Sequence, residues 1–342
     1  MSTSAFRFHA PLDPASAVEG TKSAGPAMLR RPRLTTTVPQ EYVHRAAVAE
    51  VLLTGWEQLD GTRFRITAQL PRSHSFYPPV GGTHYDPLMV TEAIRQAGAL
   101  LAHAGFDVPL GHQFLMKDMT VSVRPEYLRV GDTPAALDMD VTCSDVKWRR
   151  QAFAGTRYDA VIRRDGETVA TGGATYTCMS PQVYRRVRGG RREFGGRMAP
   201  ELTAPLAPRL VGRVSPFDVV LSPALSPGLS PAAEAGCWRL RLDTHHPILF
   251  DHPVDHVPGM VLLEAARQAA TVVLRRSHAR HSALLPVHIE SEFLRYTEWD
   301  APCVIEACRV PDGQREDAVL VTGVQNGEQA FSCLITASAA HI

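Results

Sequence analysis

The side chains that could do chemistry recur in two parts of the chain with the same spacing. Each occurrence has a glutamate, an arginine three residues later and a glutamine beside it: Glu92, Arg95 and Gln96, and again Glu264, Arg267 and Gln268. At the angular step of a helix, such a set lies along one stripe. A positioned carboxylate can take a proton from a hydroxyl group, and a guanidinium binds phosphate or carboxylate through a fork of N–H groups. Each stripe is therefore a candidate for acid–base chemistry and anion binding.

Both stripes belong to a longer duplicated unit. The segments 74–98 and 246–270 align without a gap and are identical at seven of 25 positions. Unrelated segments of this composition would share roughly one or two residues. The chain is therefore a duplication built around a loop followed by a helix.

The helices that carry the stripes are apolar on nearly all their other faces, so we predict that they are buried. Burying a carboxylate and a guanidinium is costly unless the two are paired and hydrogen-bonded. We therefore expect each stripe to lie along a cleft. The plainer interpretation stays open: a Glu–Arg pair on a solvent-facing edge would also be copied by a duplication.

The residue that begins the helix differs between the two halves. In the second half Gly259 follows Pro258, and its N–H and the positive end of the helix dipole could hold a carbonyl oxygen that develops negative charge. The equivalent residue of the first half is Pro87, which has no N–H. We therefore expect the second half to carry the chemistry, with the segment 74–98 as its supporting wall.

Histidines are frequent in the loops before both helices. His84 is equivalent to His256, and His74 to His246, which is compatible either with loop-fixing hydrogen bonds or with the lining of a site. Their spacings do not place two ligands one turn apart on the apolar helix, so we predict no metal site. We also predict no cofactor, because no Gly-rich phosphate loop is apparent.

The composition is that of a globular chain with room for two domains. It has 342 residues, of which 44% are hydrophobic and 21% charged, and a net charge of +1. This near-neutral charge argues against nucleic acid or an anionic membrane as the main partner, and the apolar runs are too short to span a bilayer. Because there is no secretory signal and no CxxC pair, we expect reduced thiols and a cytoplasmic location.

Strand-like segments surround each helix in the same order, two before it and four after it, which is an α+β pattern. The helices are expected over about 86–104 and 259–275. The predicted strands of the first half are 49–55, 62–70, 114–123, 135–143, 152–163 and 168–179. Those of the second half are 217–223, 238–242, 287–294, 303–309, 318–325 and 330–338. The predicted division is a flexible tail over 1–33, a first domain over 34–184, an Arg-, Gly- and Pro-rich linker over 185–212, and a second domain over 213–342.

The loop and helix of the second half resemble the hotdog-fold dehydratases of fatty-acid synthesis. The similar residues are 250–265, and the family signature ends in Pro-x-x-Pro-Gly-(Val/Met)-Leu-x-x-Glu-Ala. In that family a catalytic histidine lies fourteen residues before the acidic helix residue. Phe250 occupies this position here, and Pro78 occupies it in the first half, which argues against dehydration.

From about residue 35 onward, the chain is more similar to the A-factor biosynthesis hotdog family, whose members make γ-butyrolactone autoregulators. The strings HSFY, EAIRQAG and QFLM in the first half and HPILFDHPVDHVPGMVLLEAARQAA in the second carry this resemblance. It implies a double hotdog, in which a curved antiparallel sheet wraps around the long helix of each half. It also implies an acyltransferase that moves a β-ketoacyl group from an acyl-carrier-protein thioester to the hydroxyl of dihydroxyacetone phosphate. The ester would then close to a butenolide phosphate.

The resemblance also implies a set of site residues. Four positions match those regarded as the catalytic site of the family: Glu92, Arg95, Glu264 and Arg267. We expect Glu264 to take the proton from the acceptor hydroxyl. The Gly259 N–H is expected to hold the thioester oxyanion, and Arg267 or Arg95 to bind the phosphate. The residues expected to bind substrate are Gly259, Gln268, Gln96, His256 and His84.

Two alternative functions stay open at this point. A hotdog protein with these residues could hydrolyse an acyl thioester, or it could bind a ligand without catalysis. The choice between carrier protein and coenzyme A, the length of the acyl chain, and the association of two chains as a homodimer are also open.

Overall fold

Two long helices packed on a sheet organise the chain in this computed structural model, which describes residues 35–189, 201–224, 235–276, 283–310 and 317–339. The helices are α1 (Pro87–Leu100), α2 (Pro181–Val187) and α3 (Gly259–Leu274). The strands of the first half are β1 (Leu53–Gln58), β2 (Arg63–Leu70), β3 (Gln113–Val123), β4 (Ala135–Arg149), β5 (Ala152–Arg164) and β6 (Glu167–Met179). Those of the second half are β7 (Leu221–Pro223), β8 (Ala235–Leu240), β9 (Leu284–Phe293), β10 (Cys303–Arg309), β11 (Ala318–Gln325) and β12 (Glu328–Ala339).

All of these strands form one continuous antiparallel sheet. Their order is β1-β2-β4-β5-β6-β3-β9-β12-β11-β10-β8-β7, so the two halves have the same order when each is followed inward from its own edge. The halves meet where β3 pairs with β9, with Val121 opposite Ile289. The expected double hotdog is confirmed, and this central pairing joins its two half-sheets edge to edge.

Both long helices are interior elements, as their apolar composition predicts. In α1 only Arg95 is not buried, and in α3 only Gly259 and Val272 are not. The sheet closes tightly on α1 at Gly98, where an added Cβ would lie 2.7 Å from the ring of Tyr158. A glycine is required there because any side chain would displace that ring.

The first strand of each half begins later than the sequence suggests. Short 3₁₀ turns, Val48–Glu50 and Pro216–Asp218, occupy the beginning of the predicted segments 49–55 and 217–223. The backbone next to these turns bonds to glutamine side chains of α1 and α3 instead of to a neighbouring strand. The remaining predicted helices and strands agree with the structure to within a few residues, apart from β4, which extends to Arg149.

The ends of the predicted linker are ordered. Residues 185–187 belong to α2, Arg188 is buried, and so is Val211 in the 3₁₀ turn Pro208–Val211. The middle of the linker, 190–200, and the predicted tail, 1–33, lie outside the described residues. The proposed domain boundaries therefore stay a prediction. Within the described ranges, no helix has both the length and the apolar character needed to cross a membrane.

Candidate active site

Glu264 lies at the centre of a buried ion cluster on α3. Its carboxylate accepts hydrogen bonds from Arg213 at 2.8 and 2.6 Å, from Arg267 at 2.9 and 2.7 Å, and from the amide of Gln268. The Glu264 side chain is 0% exposed. Gln268 is held in turn by the backbone that precedes β7. The two guanidinium groups and the amide therefore leave this carboxylate no contact with solvent.

Glu92 has the same arrangement on α1. Arg45 and Arg95 each bind its carboxylate at 2.7 Å, and the Gln96 amide donates to it at 2.8 Å. Arg45 is the counterpart of Arg213, but the two are 168 residues apart because the connection to the helix is four residues longer in the second half. The duplication thus includes an arginine that the ungapped alignment does not reveal.

These two arginines also connect the halves. Arg45 donates to the carbonyl of Ile248 at 2.9 Å, and Arg213 donates to the carbonyl of Phe76. Each arginine therefore pairs with the glutamate of its own half and binds the loop of the other half. Such buried networks fix the relative position of elements when every donor and acceptor is satisfied.

The ion clusters hold both glutamates in the charged form. Burial raises the pKa of Glu264, but the charges of Arg213 and Arg267 and their hydrogen bonds outweigh it and lower the pKa to about 2. The equivalent arginines lower the pKa of Glu92 to about 2 as well. A carboxylate with so low a pKa and with this many donors is a weak proton acceptor. The role of Glu264 as a general base stays a prediction, and this geometry favours a positioning role instead.

A cavity of about 770 Å³ is lined by residues of both long helices. Three of the residues expected from the sequence line it: Arg95, His256 and Gly259. Six others do not: Glu92, Gln96, Glu264, Arg267, Gln268 and His84. The members of the stripes therefore face different surroundings: the carboxylates face the ion clusters, whereas Arg95 also reaches the cavity.

The start of α3 opens into this cavity, whereas the start of α1 is closed. Gly259 and Met260 line the cavity, and their N–H groups have no hydrogen-bond partner within the described part of the chain. In α1, Pro87 has no N–H and the Asp86 carboxylate accepts from the N–H of Leu88 at 2.9 Å. Of the two long helices, only α3 therefore has unpaired N–H groups of the kind that form an oxyanion hole.

A histidine–aspartate pair lies just before this helix start. The Nδ1 of His256 is 2.7 Å from the Oδ1 of Asp255, and His256 lines the cavity. Asp255 also accepts from the hydroxyl of Tyr184 at 2.5 Å and from the Nε of Arg188 at 3.1 Å. The ring of His256 packs edge-on against Tyr296, with centroids 4.8 Å apart. The imidazole is therefore fixed on two sides.

A second pair of the same kind occurs four residues earlier. The Nδ1 of His252 is 2.5 Å from the Oδ1 of Asp251, and His252 also lines the cavity. Asp251 additionally accepts from the N–H of Ala46 at 2.9 Å and lies 3.4 Å from Arg45. This carboxylate therefore belongs to the contact between the two halves as well.

His44 is a third histidine of the cavity wall. It has a left-handed backbone with φ 53°, and its Nε2 lies 2.8 Å from the Nε2 of His103. Because the Nδ1 of His103 bonds to the carbonyl of Val108 at 2.7 Å, the His103 Nε2 is the acceptor and His44 donates. Burial, followed by the positive charge of Arg95, lowers the pKa of His44 to about 3, so its ring is neutral.

The other repeated histidines fix loops. The Nδ1 of His74 accepts from the N–H groups of two residues further along the loop at 3.2 Å each, and His246 does the same at 3.3 and 3.1 Å. His84 is buried and bonds to the hydroxyl of Thr83. Of the four repeated histidines, only His256 lines the cavity. Among the described residues, no group of three or more His, Cys, Asp or Glu is arranged to hold a metal ion.

Several residues that the sequence did not identify complete this region, among them Arg45, Arg213, Tyr184 and Arg188. Arg45 and Arg213 could have been found by aligning the two halves with a second offset, of 168 residues, before the helix unit. Tyr184 and Arg188 have no counterpart in the other half, so the duplication could not reveal them.

The chain has close relatives. The family model of the A-factor biosynthesis hotdog domain matches residues 28–180 and, a second time, residues 197–340. The chain belongs to this A-factor biosynthesis hotdog family. The two family matches together include all twelve described strands, and α2 falls between them.

Several curated relatives have the name 2-oxo-3-(phosphooxy)propyl 3-oxoalkanoate synthase. The one from Streptomyces virginiae is 50% identical over 303 residues, which is 88% of this chain and 98% of the relative. One from Streptomyces griseus subsp. griseus is 41% identical, over 92% of this chain and 96% of the relative. One from Streptomyces coelicolor is 40% identical, over 86% and 89%. The similarity therefore extends over nearly the full length of these A-factor family members.

Proposed function

We propose that the protein is an acyltransferase that moves a β-ketoacyl group from an acyl-carrier-protein thioester to the hydroxyl of dihydroxyacetone phosphate, in the synthesis of a γ-butyrolactone autoregulator. The name of the relatives supports this proposal, because a 2-oxo-3-(phosphooxy)propyl 3-oxoalkanoate is the ester of a β-keto acid with that triose phosphate. The observation that carries it is the cavity between α1 and α3, which combines an open helix start with histidines and several arginines, among them Arg95.

The open start of α3 suits the carbonyl of the thioester. When an alcohol attacks that carbonyl, negative charge moves onto the oxygen. The unpaired N–H groups of Gly259 and Met260 can donate to this oxygen, and the positive end of the helix dipole of α3 adds to the effect. We assign these two N–H groups to the oxyanion hole.

Arg95 suits the phosphate of the acceptor. Its guanidinium is partly exposed, and it lines the cavity with donors beyond those that bind Glu92. A planar guanidinium binds a phosphate group through two parallel hydrogen bonds. Arg267 makes the equivalent hydrogen bonds to Glu264, but it is buried and does not line the cavity, so we assign the phosphate to Arg95.

The remaining predicted residues support the cavity from behind. Glu92 and Glu264 fix Arg95 and the walls of α1 and α3 through their ion clusters, and the two glutamines tie these clusters to the backbone before β1 and β7. Removing either glutamate would therefore impair the enzyme even without a direct role in proton transfer.

The test is to incubate the purified protein with a β-ketoacyl thioester and dihydroxyacetone phosphate and to follow products by mass spectrometry. We expect the phosphorylated ester or its butenolide, with release of one thiol per ester. Free β-keto acid alone would indicate a thioesterase, and neither product, with tight acyl binding, would indicate a binding protein. Comparing a carrier-protein thioester with the coenzyme A thioester identifies the donor.

A matched pair of variants tests the oxyanion hole. Gly259→Pro removes one N–H, as in the first half, at a position whose preceding residue already has the extended conformation that a proline requires (φ −59°, ψ 144°). Gly259→Ala keeps the N–H and adds a methyl group 3.3 Å from the ring of Phe293. We expect Gly259→Pro to lower kcat roughly 10²-fold or more, as loss of an oxyanion donor does, and Gly259→Ala to retain most activity. Equal kcat values in the two variants would argue against the assignment.

Two further points, cellular location and oligomeric state, accompany this function. We propose a cytoplasmic location, since the relatives are named as synthases of a phosphorylated ester. One chain contributes both walls of the cavity, so a homodimer is not needed to complete it.

A further inference from the structure

We infer that His256 is the general base of this acyl transfer, and that Asp255, Tyr184 and Arg188 are positioning residues that hold its ring. The inference rests on the proposed function, since a general base is needed only if a hydroxyl group attacks the thioester. It deepens that function by naming the group that moves the proton, which the ion-paired glutamates are poorly suited to do.

The hydrogen bonds determine which nitrogen of His256 is free. Although burial raises the pKa of Asp255, hydrogen bonds from His256 and Tyr184 and the charge of Arg188 outweigh it and hold that pKa well below its usual range. An ionised carboxylate only accepts, so the Nδ1 of His256 must carry the hydrogen in their 2.7 Å bond. In the neutral ring the lone pair is therefore on Nε2, which is the tautomer that a general base requires.

The position of the pair matches the open helix start. His256 precedes Gly259 by three residues, and both line the same cavity. The N–H of Val257, the next residue after His256, donates to the carbonyl of Thr297 at 2.9 Å, which holds this loop against the segment that follows β9. The base and the oxyanion donors therefore belong to one short, anchored segment.

Comparison of the two halves supports the same assignment. In the first half the sequence Thr83-His84 corresponds to Asp255-His256, and a hydroxyl stands where the carboxylate is. The closed start of α1 has Asp86 and Pro87 where α3 has Pro258 and Gly259. The carboxylate partner and the free N–H thus occur together in one half and are both missing from the other.

A clamp outside the duplicated unit holds Asp255. The hydroxyl of Tyr184 donates to Asp255 at 2.5 Å, and Arg188 binds Asp255 while pairing with Glu298 at 2.6 Å and covering the ring of Tyr296 at 4.4 Å. The titratable and charged groups around His256 are therefore Asp255, Tyr184, Arg188, Tyr296 and Glu298. This arrangement gives α2, which lies between the two family matches, a role in positioning the base.

His252 is the rival base, and two observations favour His256. The side chain of His252 is 41% exposed, against 25% for His256, so water competes more strongly for it. Its partner Asp251 also binds the backbone of Ala46 and lies close to Arg45. Asp251 therefore also takes part in the contact between the two halves, whereas Tyr184 and Arg188, which hold Asp255, have no counterpart in the first half.

The proton and electron movements balance without any further reagent. The Nε2 of His256 takes the proton of the acceptor hydroxyl while its oxygen forms a bond to the thioester carbon, and the carbonyl pair moves onto the oxygen held by the N–H groups of Gly259 and Met260. The pair then returns to re-form the carbonyl, and the C–S bond breaks with its electrons on sulfur. The imidazolium gives its proton to that thiolate, which restores the neutral ring.

The first test compares His256→Gln with His252→Gln, using the full chain, a β-ketoacyl thioester and dihydroxyacetone phosphate. We expect kcat to fall about 10²- to 10⁴-fold in His256→Gln, the usual range for a lost general base, with little change in thioester binding. His252→Gln should stay within about tenfold of wild type. Asp255→Asn should lose activity like His256→Gln, because an amide can donate to Nδ1 and stabilise the wrong tautomer.

A second measurement uses the wild-type protein and does not depend on the folding of a variant. Diethyl pyrocarbonate modifies accessible neutral imidazole, and peptide mass spectrometry locates the modified histidines. We expect the loss of activity to parallel the modification of His256. Dihydroxyacetone phosphate should slow both the modification and the loss of activity. Modification of His256 without loss of activity would overturn the inference.

The clamp has its own readout. Tyr184→Phe leaves the charge of Asp255 less compensated, so the acid limb of the kcat–pH profile should move to higher pH while kcat at the optimum falls only a few fold. A clamp that is merely structural would lower the folded fraction and leave the profile in place.

If wild type makes the ester and His256→Gln does so at the same rate, the base assignment is wrong although the proposed function holds. If wild type makes no ester, the proposed function itself fails.

Discussion

Replacing Glu264 by glutamine tests whether its carboxylate stabilises the fold. Glu264→Gln keeps the shape of the side chain but removes the negative charge that Arg213 and Arg267 share. Removing one partner of a buried ion pair costs about 3–5 kcal/mol. The lowered pKa gives a similar figure, because a change from 4.5 to about 2 corresponds to about 3 kcal/mol at neutral pH. We expect the free energy of unfolding to fall by about 3 kcal/mol.

Urea unfolding followed by circular dichroism at pH 7 measures this loss. Glu92→Gln should cost about as much, since its cluster has the same construction. The exposed residue Glu167 provides the control, and Glu167→Gln should change the stability by less than about 0.5 kcal/mol. Because the folded-state pKa of Glu264 is lowered, its contribution is present above pH 4.5 and is lost as the pH falls toward 2. The variant should therefore be less sensitive to acid over that interval.

One result would refute this reasoning. If Glu264→Gln unfolded at the urea concentration of the wild type and yet had no transferase activity, Glu264 would act in the chemistry and not in the fold. An unchanged stability of Glu92→Gln would likewise show that these clusters contribute little. A loss of stability with partial activity in both variants is the outcome that the geometry supports.

Two further predictions concern the packing of α1 and the cavity wall. Gly98→Ala should destabilise the protein by about 1–3 kcal/mol in urea, because its methyl group would lie 2.7 Å from the ring of Tyr158, whereas Gly61→Ala, with no atom within 4 Å, should be nearly neutral. Between pH 7 and pH 5, the His44→Asn variant should lose less stability than the wild type. The folded-state pKa of His44 is lowered from 6.5 to about 3, so wild type loses about 2 kcal/mol by pH 5 as the unfolded chain takes up a proton. Asparagine tolerates the left-handed backbone of this position, and an identical pH dependence in the two proteins would contradict the prediction.

The sequence revealed the fold because its signals were local and repeated. Alternating apolar residues marked strands such as β2, and the repeated Glu-Ala-x-Arg-Gln string marked the helices. It did not reveal that Glu264 pairs with Arg213, because these residues are 51 apart and meet only through the tertiary fold. The stripe therefore gave no sign that its carboxylates pair with arginines from another segment of the chain.

The site residues near the cavity were harder to predict for a different reason. The role that we propose for His256 depends on Asp255, on a tyrosine from α2 and on an arginine after it, and α2 extends into a region that composition marked as a linker. A short helix rich in arginine gives no hydrophobic period that would predict its burial. The open helix start at Gly259, by contrast, was predictable, since the comparison with Pro87 is visible in the sequence itself.

On the proposed mechanism, the duplication separates the residues that stabilise the protein from those that react. A residue that has the same role in both halves, such as Glu92 and Glu264, serves something both halves need, which is the joining of a helix to its sheet and to the opposite loop. Chemistry at a single cavity needs only one open helix start, so its residues should be sought where the halves differ. Asp86 and Pro87 are both buried, whereas Gly259 is not. The helix start of the first half is therefore closed both by its packing and by the missing N–H of Pro87. Of the two long helices, only α3 has an open start.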